Sequence, residues 1–353
     1  MIRRPGTTLV EVLVAVFIMA IGLMTLLTLF PLGALSMRAA LQDGAAANVA
    51  ANAAAVANAK QIRHDQAVVY DQDPNAPNGR RDVFIEPLPR NNKGRPSNVL
   101  PPITDGPSYP VYVDPVGYWN ETVHEVGDKK GTGNWHGMPR RTLQWVASQP
   151  RREDQLRLAT RFTTTQDDLN FNRDDNAADP ANAAGSAVSH PPPPGSTVRS
   201  VERNGRYSWA WLLRRPQAAD PSVVDVAVVV YAGRSPTVGN TETVLEGVTF
   251  APQTHQIQVP FAGAAPDIVR GSWVLDATLT AGKGNTRTPE PHGYFYRVIG
   301  VVNNGTSLTL ETEQEVRNVL HPDPNNPGAP YVGTLIFVDG VIEVFAKGAG
   351  WRP

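Results

Sequence analysis

From Val12 through Met37 the chain carries no charged side chain. These 26 positions are mostly Leu, Val, Ile, Met, Phe and Ala. About 20 apolar residues in a helix span a hydrocarbon layer of roughly 30 Å, so the run predicts one transmembrane helix. Arg3 and Arg4 precede it, which by the positive-inside rule places the N-terminus in the cytoplasm and everything after Arg38 on the far side. A secretory signal peptide has an apolar stretch of only about 7–15 residues followed by a small-x-small cleavage site, and this run is too long for that. It also begins with a carboxylate, Glu11, at a depth where desolvation is costly. A plain uncleaved anchor must explain that residue, and a carboxylate snorkelling to the membrane surface is the alternative.

The residues around Glu11 supply a reason for it. Arg3, Arg4, Pro5 and Gly6 lead into Thr7-Thr8-Leu9-Val10-Glu11-Val12-Leu13-Val14-Ala15. This stretch resembles the N-terminal motif of type IV prepilins and type II secretion pseudopilins, and is most similar to the minor pilin and minor pseudopilin branches. The resemblance implies a leader, residues 1–6, that a prepilin peptidase removes after Gly6 before methylating the new N-terminus at Thr7. Glu11 is then the fifth mature residue, where the family carries Glu. Thr7 stands where it usually carries Phe or Met. The resemblance further implies that Glu11 pairs with the terminal amine of a neighbouring subunit. A buried charge demands such a partner, and the demand can set axial register.

Gly22 and Pro31 interrupt the apolar run and mark a hinge, since both loosen a helix. Beyond Arg38 the chain is Ala-rich to Ala59, which favours continued helix. Leu41, Val49 and Val56, with Ala45 and Ala53, fall near one face. The N-terminal helix is placed at 7–64, with its membrane part at about 9–37. It would be on the order of 85 Å long at 1.5 Å per residue.

Residues 65–200 read as an irregular, loop-rich region with short strands at Val111–Val116 and Thr142–Ala147. Residues 166–197 form a polar loop or linker ending in Pro191–Pro194. Residues 201–353 read as an antiparallel β-rich head. Tyr207–Leu213 carries aromatics at period two, and Val223–Tyr231 is a β-branched run fit for a central strand. Further strands are expected at Thr241–Phe250, His255–Phe261, Ile268–Leu275, Tyr294–Val302, Ser307–Glu311, Thr334–Phe337 and Val341–Phe345. Asn303-Asn304-Gly305 and Asp339-Gly340 are the turn signals between the last two pairs. The expected fold class is α+β: a long N-terminal helix, membrane-spanning in its first half, packed on an antiparallel sheet head as in pilins.

Chemistry is hard to find. No two of the seven His lie three to five apart, and no Walker, G-x-S-x-G or G-x-G-x-x-G motif occurs. Nothing signals an enzyme. With 32 basic against 33 acidic side chains, no nucleic-acid partner is expected. No cofactor is implied except calcium: Asp168, Asn170, Asn172, Asp174 and Asp179 fall at positions 1, 3, 5, 7 and 12 of a calcium-loop-like frame. Asp71, Asp73, Asn75 and Asp82 fall in a similar one. Both lack the Gly at position 6 and carry Asp at position 12, so a solvated polar loop stands beside the calcium reading. Tyr207, Trp209, Trp211 and Trp273 are either a sugar platform or one face of a core.

The resemblance implies a structural subunit of a pilus or pseudopilus, held in the bacterial inner membrane before assembly with other pilin or pseudopilin subunits. Its head then lies in the periplasm or on the cell surface. A membrane-tethered binding module or adhesin with an uncleaved anchor, or a tethered hydrolase, is the alternative.

Overall fold

A computed structural model describes residues 9–72, 76, 78–87, 102–103, 105–119, 134–135, 138–163, 169–172, 188–190, 200–203, 207–234, 242–280, 290–317 and 329–347. The chain forms two compact units, Met1–Asn48 and Val49–Pro353.

Helix α1 is Leu9–Ala59, 51 residues. The first unit holds its beginning and the second its last turns. The helix continues through Gly22 and Pro31, although Pro31 offers no N–H to the carbonyl of Leu27. The membrane-spanning first half expected at about 9–37 is not found: among the described residues no helix is long and apolar enough to cross a membrane. Side chains at 25, 26, 28–30 and 32 of α1 lie outside the described set.

In the second unit, Val49, Ala50, Ala53 and Ala57 are the buried stripe of α1. Leu41, placed on that stripe from its spacing, is exposed. Alanine has almost no side chain to hold the helix off its neighbour, so the backbone itself is reached: Trp211 Nε1 donates to the Ala53 carbonyl at 3.1 Å. After a 3-10 turn come helix α2 (Gln66–Val69) and a small ribbon of β1 (Tyr70–Gln72) and β2 (Arg80–Asp82). Then follow β3 (Val111–Val113), β4 (Asn134–Trp135), β5 (Met138–Arg141), helix α3 (Gln144–Ala147) and helix α4 (Arg152–Thr163). Strands β6 (Leu169–Asn172), β7 (Val188–His190) and β8 (Ser200–Arg203) make a three-stranded sheet. The remaining strands are β9 (Tyr207–Arg214), β10 (Asp225–Ala232), β11 (Glu242–Ala251), β12 (Gln256–Pro260), β13 (Trp273–Asp276), β14 (Leu279–Thr280), β15 (Glu290–Pro291), β16 (Tyr294–Asn303), β17 (Ser307–Thr312), β18 (Tyr331–Val338) and β19 (Val341–Ala346).

Two large β-structures are built from these. One is a six-stranded sheet in the order β19-β10-β9-β3-β5-β4. The other is a closed barrel, β11-β12-β17-β16-β13-β18, antiparallel at every junction. The barrel overturns the expected pilin-like α+β fold. Beyond α1 the regular structure of the described residues is mostly β, and one of its two large cores is the inside of a barrel. Period-two patterning identifies strands but not closure, which here rests on β11 pairing with the distant β18 from Glu242↔Val338 to Phe250↔Tyr331. Closing the sheet on itself removes the edges that an open sheet would have to protect.

Alternation explains the layering. On β9 and β10, Trp209, Trp211, Val228 and Val230 share one face, and Trp211 meets α1 from there. Ala210, Leu212, Val229 and Tyr231 occupy the other face and join Trp273, Leu275, Phe295, Ile336 and Val338 from the outer wall of the barrel in one core. The barrel's interior holds Phe250, Ile257, Val259, Val274, Tyr296, Leu310, Leu335 and Phe337, among others. The β-branched run of β10 is therefore buried on both sides, as its composition indicated.

Four local expectations change. Thr142–Ala147 is not a strand: α3 occupies Gln144–Ala147, and its first N–H is held by Asp65. The strand expected at Ile268–Leu275 begins only at Trp273 and runs to Asp276. Strands β6 and β7 occupy part of the expected linker at 166–197. Asp339-Gly340 is a turn, with Gly340 at φ 79°, where a β-carbon is strained. It joins no hairpin, since β18 belongs to the barrel and β19 to the open sheet. The turn at Asn303–Gly305 does join β16 to β17, closed by Asn304 N–H to the Ser307 carbonyl at 2.9 Å.

Candidate functional site

The most unusual surface in the first unit is α1 itself. Every position from Leu9 to Met24 is exposed, on all faces of the helix. Leu9 is 78% exposed, Phe17 66%, Met19 68% and Met24 70%. A helix apolar all round is stable only where lipid or other apolar elements surround it. Burying one such Leu, Ile or Phe is worth about 1.5–3 kcal/mol. Glu11 is the lone carboxylate of this stretch and sits in the first turn, where the unpaired N–H groups of the helix favour negative charge.

Gly6 and Thr7 lie outside the described residues. Gly22 and Pro31 occupy exposed positions of α1. Of the calcium frame, Asp168, Asp174 and Asp179 lie outside the described residues, and Asn170 and Asn172 belong to β6, paired with Glu202 and Ser200 of β8. In the second frame, Asp71 faces Arg141 at 2.6 Å and Asp82 faces Arg215 at 2.7 Å. Among the described residues no group of three His, Cys, Asp or Glu is arranged to hold a metal ion. Trp209, Trp211, Tyr207 and Trp273 are buried, which makes them core and not a sugar platform.

Two buried polar clusters were invisible to motif reasoning. Asp114 follows β3 directly and receives Arg234 through two contacts, Nη1 to Oδ1 at 2.8 Å and Nη2 to Oδ2 at 2.6 Å. Arg140 of β5 meets the same carboxylate, and the Gly117 N–H donates to it at 2.9 Å. The two guanidinium groups lie over Tyr112 and Tyr231, whose hydroxyls bond each other. Burial pushes the Asp114 carboxyl up. The charges of Arg234 and Arg140, with the hydrogen bonds, overcome that and hold it well below the usual carboxylate range.

The second cluster lies at one end of β13. Asp276 Oδ2 accepts from His292 Nδ1 at 2.6 Å and from the Tyr331 hydroxyl at 2.9 Å. Its Oδ1 accepts from Thr278 N–H and Oγ1. An Asp–His pair is the pairing of a general base. Here both residues are fully buried and the carboxylate is committed to the barrel wall. The signal available for both clusters was an Asp directly after an apolar strand run, Val-Tyr-Val-Asp114 and Trp-Val-Leu-Asp276. Their partners come from distant segments with no fixed spacing.

No known family model, curated protein or solved structure matches the chain. The functional reading therefore rests on the residues and their arrangement.

Proposed function

We propose that the chain is a structural subunit of a type IV pilus or of a type II secretion-like pseudopilus, of the minor kind. It would be made as a precursor held in the inner membrane with its head outside the cytoplasm. A prepilin peptidase would cut after Gly6, and α1 would then pass from lipid into a bundle of equivalent helices. The observation that carries this is the all-round apolar exposure of α1 from Leu9 to Met24 with one carboxylate, Glu11, in its first turn. A lipid tether alone accounts for the apolar surface. The first turn of the helix favours a carboxylate there, and pairing with a neighbour's terminal amine would give that carboxylate a role in filament register.

Co-expression with an active prepilin peptidase tests the reading through the mass of the N-terminal peptide. The expected product begins at Thr7, and Gly6→Ala blocks it while a change at Arg3 does not. Glu11→Ala should still be cut but fail to enter filaments. An intact leader beside an active peptidase, or filament entry unchanged by Glu11→Ala, refutes the corresponding part.

A further inference from the structure

A second site lies in the head and does not depend on the filament reading. Between α2, the β1–β2 ribbon and the segment from β5 into α3 there is a pocket of about 310 Å³. That is the lower end of the range for small-molecule sites, with room for one monosaccharide. We propose that it binds a small carboxylate-bearing sugar, a uronic acid residue.

The charge balance sets the sign. Asp71, Arg80 and Arg141 line the pocket. Arg141 is matched by Asp71 at 2.6 Å. Arg80 donates from Nη1 to Gln66 Oε1 at 3.1 Å, a neutral partner. Among the described residues, one positive charge in the lining is thus left without a carboxylate, and a guanidinium fits a carboxylate by two parallel N–H···O bonds. Among the described residues, three buried polar atoms of the lining side chains make no hydrogen bond: Arg141 Nε, Thr142 Oγ1 and Asp71 Oδ2, the last in ion-pair contact with Arg141; Thr142 is only 3% exposed. A ligand oxygen satisfies the donors among them and a sugar hydroxyl the Asp71 acceptor.

The apolar part of the lining selects a sugar over a bare anion. Tyr70 and Tyr118 both line the pocket, and aromatic rings accept the C–H face of a pyranose as they accept other apolar surfaces. The walls are also fixed in advance. The Asp65 carboxylate accepts from Ala67 N–H of α2 at 2.9 Å and from Gln144 N–H of α3 at 3.0 Å, tying the two sides together. A preformed site pays less ordering entropy on binding.

The test is calorimetric titration of the full chain in detergent micelles with glucuronate, glucose and inorganic phosphate. Glucuronate should saturate one site, with glucose at least about tenfold weaker. Arg80→Gln replaces an exposed side chain. It should weaken glucuronate by about tenfold and leave both the glucose signal and the thermal midpoint unchanged. Equal binding of glucose and glucuronate overturns the charge assignment. Phosphate binding as tightly as glucuronate overturns the sugar assignment, and absence of saturable heat with any of the three overturns the site. None of these outcomes bears on leader cleavage or filament entry.

Discussion

Replacing Asp114 by Asn keeps the shape of the side chain and removes its charge. Asp114 is fully buried, and the side chains of Arg140 and Arg234 are 1% and 4% exposed. The variant removes the carboxylate that the two enclosed guanidinium groups share and leaves them their other contacts only. Breaking a buried ion pair on one side costs about 3–5 kcal/mol, most of it the uncompensated charge. At 2–4 °C per kcal/mol for a large unit, the thermal midpoint should fall by at least about 6 °C. Unfolding followed by circular dichroism on the full chain in detergent measures this, and a denaturant series should show a lower midpoint at unchanged slope. A second change, Arg234→Gln, removes one of the two enclosed positive charges. The double variant should therefore lose less than the two single losses together, by about 1–3 kcal/mol. The acid limb carries a separate signature. The folded carboxyl titrates below its unfolded value of about 3.9, so its contribution is complete above that pH and fades as the pH falls toward the folded value. The Asn variant should lose stability less steeply over that interval. A loss below about 1 kcal/mol, or strict additivity in the double variant, refutes the picture of one carboxylate neutralising two enclosed arginines.

Two further outcomes test the packing. Gly333→Ala places a β-carbon 2.7 Å from Thr278 Cγ2 and 2.8 Å from its Cβ. Neither is the end of a flexible side chain, so overpacking of about 1–3 kcal/mol is expected in thermal unfolding, and a neutral result refutes the close approach of β18 to Thr278. Trp211→Phe should cost about 1 kcal/mol through the lost bond to Ala53. Trp211→Ala should cost about 3–5 kcal/mol through the cavity beneath α1. Equal losses for the two would place the energy in the hydrogen bond instead of the packing.

Strands were legible wherever one short segment carries its own pattern. The aromatics of β9, the β-branched run of β10 and the turn at Asn303–Gly305 are local statements, and the structure keeps them. Closure of the barrel is not local. It depends on β18 reaching both β11 and β13, and no window of sequence contains that choice. Short helix α3 escaped for a related reason. Leu143 and Val146 are buried there, which reads as easily as strand, but the deciding contact is the distant carboxylate of Asp65. Glu11 stood out because it breaks a charge-free run. The pocket residues did not, since Gln66, Arg80, Tyr118 and Arg141 are ordinary until the fold assembles them.

The order of strands has a consequence for how such a chain is made. Synthesis delivers α1 first, while β11 and β13 both wait for the β18 segment at Tyr331–Val338, and β10 waits for β19. Until residues near 340 emerge, the unfinished barrel presents two open edges, and open edges recruit other strands. A chain that stalls before Tyr331 is therefore an aggregation hazard with a greasy helix at its front. Strand order alone thus makes roughly the last twenty residues of the described head the ones that end its exposure.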